Sequence, residues 1–237
     1  MSNRILSHLQ HGEMEIIAQF NWGSNYTFLV NLSHQGKTIE AVYKPQQGER
    51  PLWDFPAETL AGREVAAYIV SEALGWELVP PTVFRKEGPL GPGSLQQRVA
   101  HDPELHYFTF DAKTRKRLRP AAIFDLIVNN ADRKGGHILL GEGGKLRLID
   151  HGICFHAEPK LRTIIWDFVG EPLPAELSAD AARLQAELAD GALRRLLAQY
   201  LNEEELNAMG SRIAELLAAG RFPSPPEDQR YTPWPLV

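Results

Sequence analysis

Cysteine and excess positive charge are the two features that this sequence most clearly lacks. Cys154 is the only cysteine among 237 residues, so no internal disulfide can form and a reducing compartment is expected. The 25 Lys and Arg residues are outnumbered by 30 Asp and Glu residues, which gives a net charge of −5. We therefore expect no nucleic acid as the main partner, because neutralising phosphates requires a basic face.

Long apolar runs are also absent. No stretch approaches the ~18 consecutive apolar residues of a membrane-spanning helix. The first residues, MSNRILSHLQHGEMEII, mix polar and apolar types and lack the apolar core of a signal peptide. From these absences we expect a cytoplasmic protein without stable membrane insertion.

The composition is that of a globular protein. Hydrophobic residues make up 43% of the chain and charged residues 23%, which excludes a disordered, collagen-like or coiled-coil chain. The length suits one large domain or two lobes around a substantial core.

The first half of the chain predicts an antiparallel sheet with one helix. β-Branched and aromatic residues are concentrated in short runs separated by turn-forming clusters. The predicted strands are 13–20, 26–32, 37–43, 82–85 and 95–99. Helical spacing of apolar residues predicts a helix over 57–74, ending at Gly75.

The second half predicts mostly helices and one hairpin. A helix is expected over 120–130, because Pro120 suits a first helical turn. Residues 136–140 and 145–149 flank a glycine-rich turn and predict a hairpin. Two or three helices are expected over 175–219. The fold class is therefore α+β and bilobal, a single domain 1–237 with an N-lobe over 13–100 and a C-lobe over 101–237.

Several common catalytic motifs are missing. The sequence contains no GxxxxGK[ST] phosphate loop, GxGxxG fingerprint, GxSxG elbow or CxxC pair. The densest group of functional residue types lies instead at 129–156. Asp132 and Asp150 stand at the two ends of the predicted hairpin, so both carboxylates should meet at its open end. With His137 beside them, they predict a site for Mg²⁺ or Mn²⁺.

The order of these residues is typical of phosphoryl transfer. His137 follows Asp132 by five positions, which is the offset between catalytic base and metal ligand in kinases. The triplet Asp150-His151-Gly152 takes the place of Asp-Phe-Gly.

Matching residues occur upstream. Lys44 lies on the third predicted strand, where such a fold carries its phosphate-binding lysine, and Glu64 on the following helix can pair with it. Gly23 and Ser24 fall in the first hairpin turn, whose backbone amides could cover phosphates.

With these residues in place, the chain resembles the phosphatidylinositol 3-/4-kinase-like branch of the kinase superfamily. The similarity is closest to type II phosphatidylinositol 4-kinases and to small bacterial phosphatidylinositol kinase-like proteins. The motifs that carry it are AVYKP (41–45), GERP (48–51), REVAAY (63–68), VPPT (79–82), NNADRKGGH (129–137) and IDHGICF (149–155). RTIIWDFVGEPLP (162–174) and FPSPP with PWP (222–235) match the bacterial group.

The resemblance implies a bilobal kinase that binds ATP between its lobes and transfers the γ-phosphate to a hydroxyl. Lys44 would contact the α- and β-phosphates, Asp132 would be the catalytic base and Asp150 a metal ligand. The backbone of 97–99, from Gln97 to Val99, would be the hinge that meets adenine. Arg133 or Lys134 is expected to stabilise the transferred phosphoryl. The acceptor could be a small molecule, a lipid head group or a protein, and a soluble acceptor is favoured.

One departure from the resemblance concerns the metal site. The larger family has Asn where this chain has His137, and imidazole suits Mn²⁺ better than Mg²⁺. We therefore expect Mn²⁺ to support activity better. The alternative is a nucleotide-binding pseudokinase or regulatory module in which His137 binds no metal.

Three further features have competing interpretations. His137, His151, Cys154 and His156 could form the zinc site of a metal-dependent phosphoesterase, although strand alternation argues against convergence of His151 and Cys154. The basic run 113–119 is either a solvated loop or a contact for an anion. In the proline-rich end of the sequence, Trp234 is expected to pack across the helical lobe.

Overall fold

The computed structural model describes residues 2–20, 25–189, 191–227 and 230–237. Its smaller lobe is an antiparallel sheet in the order β1-β2-β3-β5-β4. The strands are β1 (Glu13–Phe20), β2 (Thr27–His34), β3 (Lys37–Pro45), β4 (Thr82–Arg85) and β5 (Gly93–Gln97). All of the predicted strands are confirmed to within a few residues, because alternating β-branched residues bury one face of the sheet.

The buried face of the sheet is covered by a helix that the sequence analysis did not predict. Helix α1 (Ser2–His11) lies before β1, and its Leu9 is fully buried against Val30, Leu32 and Leu95 of the sheet. The small lobe therefore includes α1 as well as the residues from 13 onwards.

Helix α2 (Leu60–Leu74) ends as predicted, at Gly75 in the left-handed conformation. It begins three residues later than the apolar spacing predicts. The carboxylate of Glu49 accepts hydrogen bonds from the amides of Leu60 and Ala61, at 3.2 and 2.8 Å. This cap comes from a residue outside the helix, so local sequence could not reveal where α2 starts.

The larger lobe contains most of the helices and the predicted hairpin. Its elements are α3 (Ala112–Lys116), α4 (Arg119–Val128), β6 (Ile138–Leu140), β7 (Leu146–Leu148), α5 (Ala175–Ala189), α6 (Ala192–Leu197) and α7 (Glu203–Ala219). The α+β, two-lobed fold class is confirmed. Among the described residues, no helix is long and apolar enough to cross a bilayer.

The main hydrophobic core does not follow the predicted boundary near residue 100. Val70 and Leu74 of α2 belong to the same buried cluster as Phe124 of α4 and Leu184 of α5. Helix α2 thus lies within the small lobe in sequence, between β3 and β4, but it shares the core of the larger lobe and also packs against β4 and β5.

The basic run 113–119 is not a free loop. Most of it is in α3 and the start of α4. Arg115 lies 3.6 Å from Asp167, Arg119 lies 2.6 Å from Glu171, and Arg117 donates to the carbonyl of Gly144 at 2.6 Å. Its arginines therefore join α3 to neighbouring segments of the larger lobe.

Candidate active site

Lys44 on β3 is the centre of a chain of charged groups between the lobes. Its Nζ pairs with Oε1 of Glu64 on α2 and with Oδ1 of Asp150 at 2.8 Å. Burial alone would lower the pKa of Lys44, but the carboxylates of Asp150 and Glu64 outweigh it and raise the pKa. Lys44 is therefore a fixed positive charge at neutral pH, as a phosphate-binding lysine must be.

Glu64 also contacts the segment that follows Asp150. Its Oε2 accepts a hydrogen bond from the backbone amide of His151 at 2.9 Å. One buried carboxylate thus joins β3, α2 and the Asp150-His151-Gly152 segment. The spacing predicts the contact with Lys44, whereas the contact with His151 was not predicted.

Asp150 and His137 meet at the open end of the hairpin. His137 Nε2 lies 3.3 Å from Asp150 Oδ2. Asp150 has a φ of 62°, a left-handed conformation that costs energy in a residue with a side chain. Its side chain is 48% exposed, so it can reach a ligand.

The protonation states of this pair suit a cation. Burial would raise the pKa of Asp150, but Lys44 and His137 lower it well below its ordinary value. Burial lowers the pKa of His137 to about 4, against the attraction of Asp150. At neutral pH the pair therefore offers a carboxylate and an uncharged imidazole.

These two side chains suit a divalent cation whose other ligands are supplied by a nucleotide and water. Among the described residues, no group of three or more His, Cys, Asp or Glu could hold a metal by itself. Mg²⁺ and similar ions in phosphoryl-transfer sites use one or two carboxylates, with phosphate oxygens and water as the other ligands. Asp150 supplies such a carboxylate, and His137 adds an imidazole nitrogen beside it.

The zinc interpretation is wrong for the described part of the chain. His151 is buried and bonded to Arg133, Cys154 is buried, and His156 Nε2 lies 2.9 Å from the carbonyl of Asp54. These side chains make separate contacts and do not converge on one point.

Asp132 lies close enough to Asp150 for the two carboxylates to interact. Burial raises the pKa of Asp132, the negative charge of Asp150 adds to the rise, and Lys134 opposes it. Lys134 Nζ lies 3.1 Å from Asp132 Oδ2, and the carboxylate remains 27% exposed. Asp132 is thus a partly buried carboxylate that solvent or a substrate can reach.

Arg133 is not where the sequence analysis predicts. Its side chain is completely buried, and Nε donates to both carboxylate oxygens of Asp125 on α4, at 3.1 Å each. Its other nitrogens donate to the carbonyl of Ile149 and to Nε2 of His151, both at 2.8 Å. The burial of Arg133 contradicts a direct contact with a phosphoryl group, and of Arg133 and Lys134 it is Lys134 whose side chain is partly exposed.

The hydrogen bonds of Arg133 hold together the segments that carry the site. They join α4 to both ends of the hairpin, at His137 and Ile149, and Thr163 donates to the same Asp125 carboxylate at 3.1 Å. Sequence reasoning missed Asp125 and His151 as positioning residues. Asp125 stands alone within the apolar run IFDLIV, a pattern that indicates a buried charge with a partner.

The predicted hinge, 97–99, begins with the last residue of β5. Gln97 donates its amide to Pro81 at 2.9 Å and Arg98 donates its amide to Glu40 at 3.2 Å. The amide of Val99 has no hydrogen-bond partner among the described residues. Gly23 and Ser24, the predicted phosphate-covering residues, lie outside the described residues.

Comparisons with known proteins agree with this geometry. No family model matches the chain. The protein Rv2133c of Mycobacterium tuberculosis is 38% identical over 262 aligned residues, which cover 96% of this chain and 93% of that protein. Phosphatidylinositol 4-kinase gamma 4 of Oryza sativa subsp. japonica is 31% identical over 146 residues, which cover 53% of this chain and 26% of the plant protein.

Solved structures show the same fold at low sequence identity. The Golgi casein kinase with Mn and ADP bound has a TM-score of 0.60 and 14% identity, and the match covers 92% of this chain and 74% of the kinase chain. The proinflammatory kinase CtkA of Helicobacter pylori has a TM-score of 0.52 and 9% identity, with 90% and 94% covered. The bilobal protein-kinase-like fold is thereby confirmed. The chain belongs to the family of Rv2133c, and about half of it is similar to a plant phosphatidylinositol 4-kinase.

Proposed function

We propose that this protein is an ATP-dependent kinase that transfers the γ-phosphoryl group to a hydroxyl acceptor. The observation that carries the proposal is the chain of contacts from Glu64 through Lys44 and Asp150 to His137, with Asp132 facing the same cleft. A fixed cation, a pair of metal-ligating side chains and a reachable carboxylate are the parts that phosphoryl transfer requires.

Nucleotide binding would use both lobes. Lys44 would hold the α- and β-phosphates, kept in place by Glu64. The unpartnered amide of Val99 would donate to adenine, and Gln97 would form the same edge of the hinge. Gly23 and Ser24 remain proposed contacts for the phosphates.

Asp150 and His137 would hold Mg²⁺ or Mn²⁺. When bound, such an ion neutralises phosphate charge and draws the β- and γ-phosphates into position. The similarity to a kinase that binds Mn and ADP supports Mn²⁺ as one of the ions that this site accepts.

Asp132 would act as the base. Its raised pKa moves it closer to the working pH, which favours proton acceptance from a hydroxyl during attack on the γ-phosphorus. Lys134, 3.1 Å from Asp132, would stabilise charge on the transferred group. Arg133 would act through Asp125 and His151 as a positioning residue.

The first test is thermal unfolding with ATP and either Mg²⁺ or Mn²⁺. A ligand present at about 100 times its Kd stabilises the folded state by about 2.7 kcal/mol, which shifts the melting temperature visibly. We expect a metal-dependent ATP shift in the wild type and in Glu87→Gln, which changes an exposed carboxylate. The shift should be lost in Asp150→Asn. A shift that survives in Asp150→Asn would place the nucleotide elsewhere.

A second candidate function is nucleotide binding without catalysis. It is favoured by the imidazole of His137 at a position where the larger family has Asn. A nucleotide-dependent shift without any ATP turnover, unaffected by Asp132→Asn, would support this regulatory role. Turnover that disappears in Asp132→Asn would exclude it.

A further inference from the structure

Residues 230–237, here called the strap, lie against the catalytic loop 132–137. Gly135 in that loop donates its backbone amide to the carbonyl of Leu236 at 2.7 Å. Thr163 donates its amide to the carbonyl of Tyr231 at 3.0 Å. The strap is therefore tied at both of its ends to backbone amides of the larger lobe.

These two donors flank the proposed base. Gly135 follows Asp132 by three positions. Thr163 forms a parallel bridge with Arg133, the residue directly after Asp132. The charge of Arg162 lowers the pKa of Asp132, so this segment lies close to that carboxylate. The strap consequently lies against the two segments that flank Asp132.

The strap contacts the larger lobe in the way that an extended peptide contacts a peptide-binding surface. Both hydrogen bonds run from receptor amides to peptide carbonyls, which any sequence can supply. Trp166 meets the ring of Tyr231 edge-on at 5.9 Å and donates Nε1–H to the Tyr231 carbonyl at 3.4 Å. Pro233 and Pro235 favour an extended backbone between the two ends.

Only some of the apolar side chains of the strap are covered. Pro233 is buried, and Tyr231 and Leu236 are 41% and 39% exposed. Trp234 is 75% exposed and Val237 57% exposed, so the expectation that Trp234 packs across the helical lobe is wrong. A competing peptide that supplies the same backbone carbonyls and a proline at the buried position could replace the strap.

We propose that the surface formed by 135–136 and 163–166 binds an extended polypeptide that carries the acceptor hydroxyl, and that the strap occupies this surface in cis. The transfer step rests on the proposed kinase function, whereas the peptide-binding step does not. In transfer, the peptide hydroxyl oxygen forms a bond to the γ-phosphorus and its proton passes to Asp132. The bond from that phosphorus to the β–γ bridging oxygen breaks, and ADP leaves.

A reversible disulfide that fixes the strap in place, here called the lock, tests the proposal on the full chain. A Cβ added at Gly136 would meet only the Cγ1 of Val237 within 4 Å, at 3.8 Å, so G136C/V237C places two thiols within reach of a disulfide. The native Cys154 is buried and should not interfere. The oxidised form keeps the strap in place, the reduced form leaves it free to dissociate, and V237C alone is the control for redox treatment.

Binding is measured by the fluorescence anisotropy of a labelled peptide with the strap sequence, RYTPWPLV. Titration extends to millimolar peptide, because a tethered competitor acts at about millimolar effective concentration. We expect the reduced double variant and the V237C control to bind the peptide, and the oxidised double variant to bind at least about tenfold more weakly. Equal binding by the oxidised and reduced forms, or no binding by the reduced form, would overturn the proposal.

Phosphate transfer gives the second readout. With labelled ATP and a degenerate library of Ser/Thr peptides, the reduced lock should transfer phosphate and the oxidised lock should transfer much less. Transfer to phosphatidylinositol vesicles but not to peptides would overturn the acceptor class. The ATP-dependent melting shift should be equal in both forms. Its absence, with lock-dependent peptide binding intact, would refute the kinase function and leave the peptide site standing.

Discussion

Arg63 in α2 donates from Nη2 to Oε1 of Glu205 in α7 at 2.5 Å, and the two side chains are only 1% and 6% exposed. Nη1 of Arg63 donates to the carbonyl of Cys154 at 2.7 Å. The next residue along α2 is Glu64, which holds Lys44. A buried ion pair with the larger lobe therefore holds α2, whose Glu64 pairs with Lys44, the proposed nucleotide-binding lysine.

Breaking this pair should destabilise the whole protein. Glu205→Gln keeps an oxygen for the α7 cap, where Glu205 accepts from the amide of Asn202, but it leaves the Arg63 charge buried without a counter-charge. Loss of one partner of a buried pair costs about 3–5 kcal/mol. We expect the free energy of unfolding, measured by urea denaturation, to fall by about 3 kcal/mol.

The exposed pair Arg98–Glu40 is the matched control, since both side chains are more than 40% exposed. Glu40→Gln should change the free energy of unfolding by less than about 1 kcal/mol. Equal small losses in both variants would show that α2 is not held by Arg63.

Replacing the proposed base should separate catalysis from binding. Asp132→Asn removes the proton acceptor but keeps the size of the side chain. We expect kcat for ATP turnover to fall by about 10²-fold or more, while the ATP-dependent melting shift persists. Glu87→Gln, at an exposed site, should leave both unchanged. Undiminished turnover in Asp132→Asn would assign the base to another group.

The metal preference should depend on His137. His137→Asn replaces an imidazole nitrogen by an amide oxygen, a harder ligand that suits Mg²⁺. We expect the apparent affinity for Mn²⁺ to fall about tenfold, since changes around a metal ligand commonly cost about 10–100-fold. The measurement is the metal dependence of the ATP-induced melting shift. Identical Mn²⁺ and Mg²⁺ titrations in wild type and variant would exclude His137 as a ligand.

Cys154 should be unreactive in the folded protein. Its side chain is buried, and burial raises the pKa of the thiol well above its ordinary value. A raised pKa lowers the thiolate fraction at any given pH, and only the thiolate reacts. At pH 8 we expect no reaction with a disulfide reagent such as DTNB until urea unfolds the chain. Rapid stoichiometric labelling without urea would contradict the burial of Cys154.

Much of the fold could be predicted because its elements follow local rules. Alternation of β-branched residues marks the strands, and Gly75 ends α2 where a left-handed residue is required. Helix α1 was missed because its apolar residues are few and its stability comes from covering the sheet. The start of α2 was missed because its cap, Glu49, belongs to a distant turn.

The candidate site could likewise be predicted only in part. The order of Lys44, Glu64, Asp132, His137 and Asp150 along the chain predicts a kinase-like cleft, since each type of residue must lie on a particular element of that fold. The role of Arg133 could not be predicted from its place beside Asp132. Only the packing of α4 shows that the guanidinium of Arg133 pairs with Asp125, away from the cleft.

The sequence by itself determined which elements form, which face of the sheet is buried and which charged residues lie near one another along the hairpin, because these depend on spacing and residue type. The tertiary structure decided that α2 shares the core of the larger lobe, that Arg133 is buried, and that residues 230–237 lie against Gly135 and Thr163. Those contacts join residues far apart in the chain. Their partners are selected by packing and by the need to pair every buried charge.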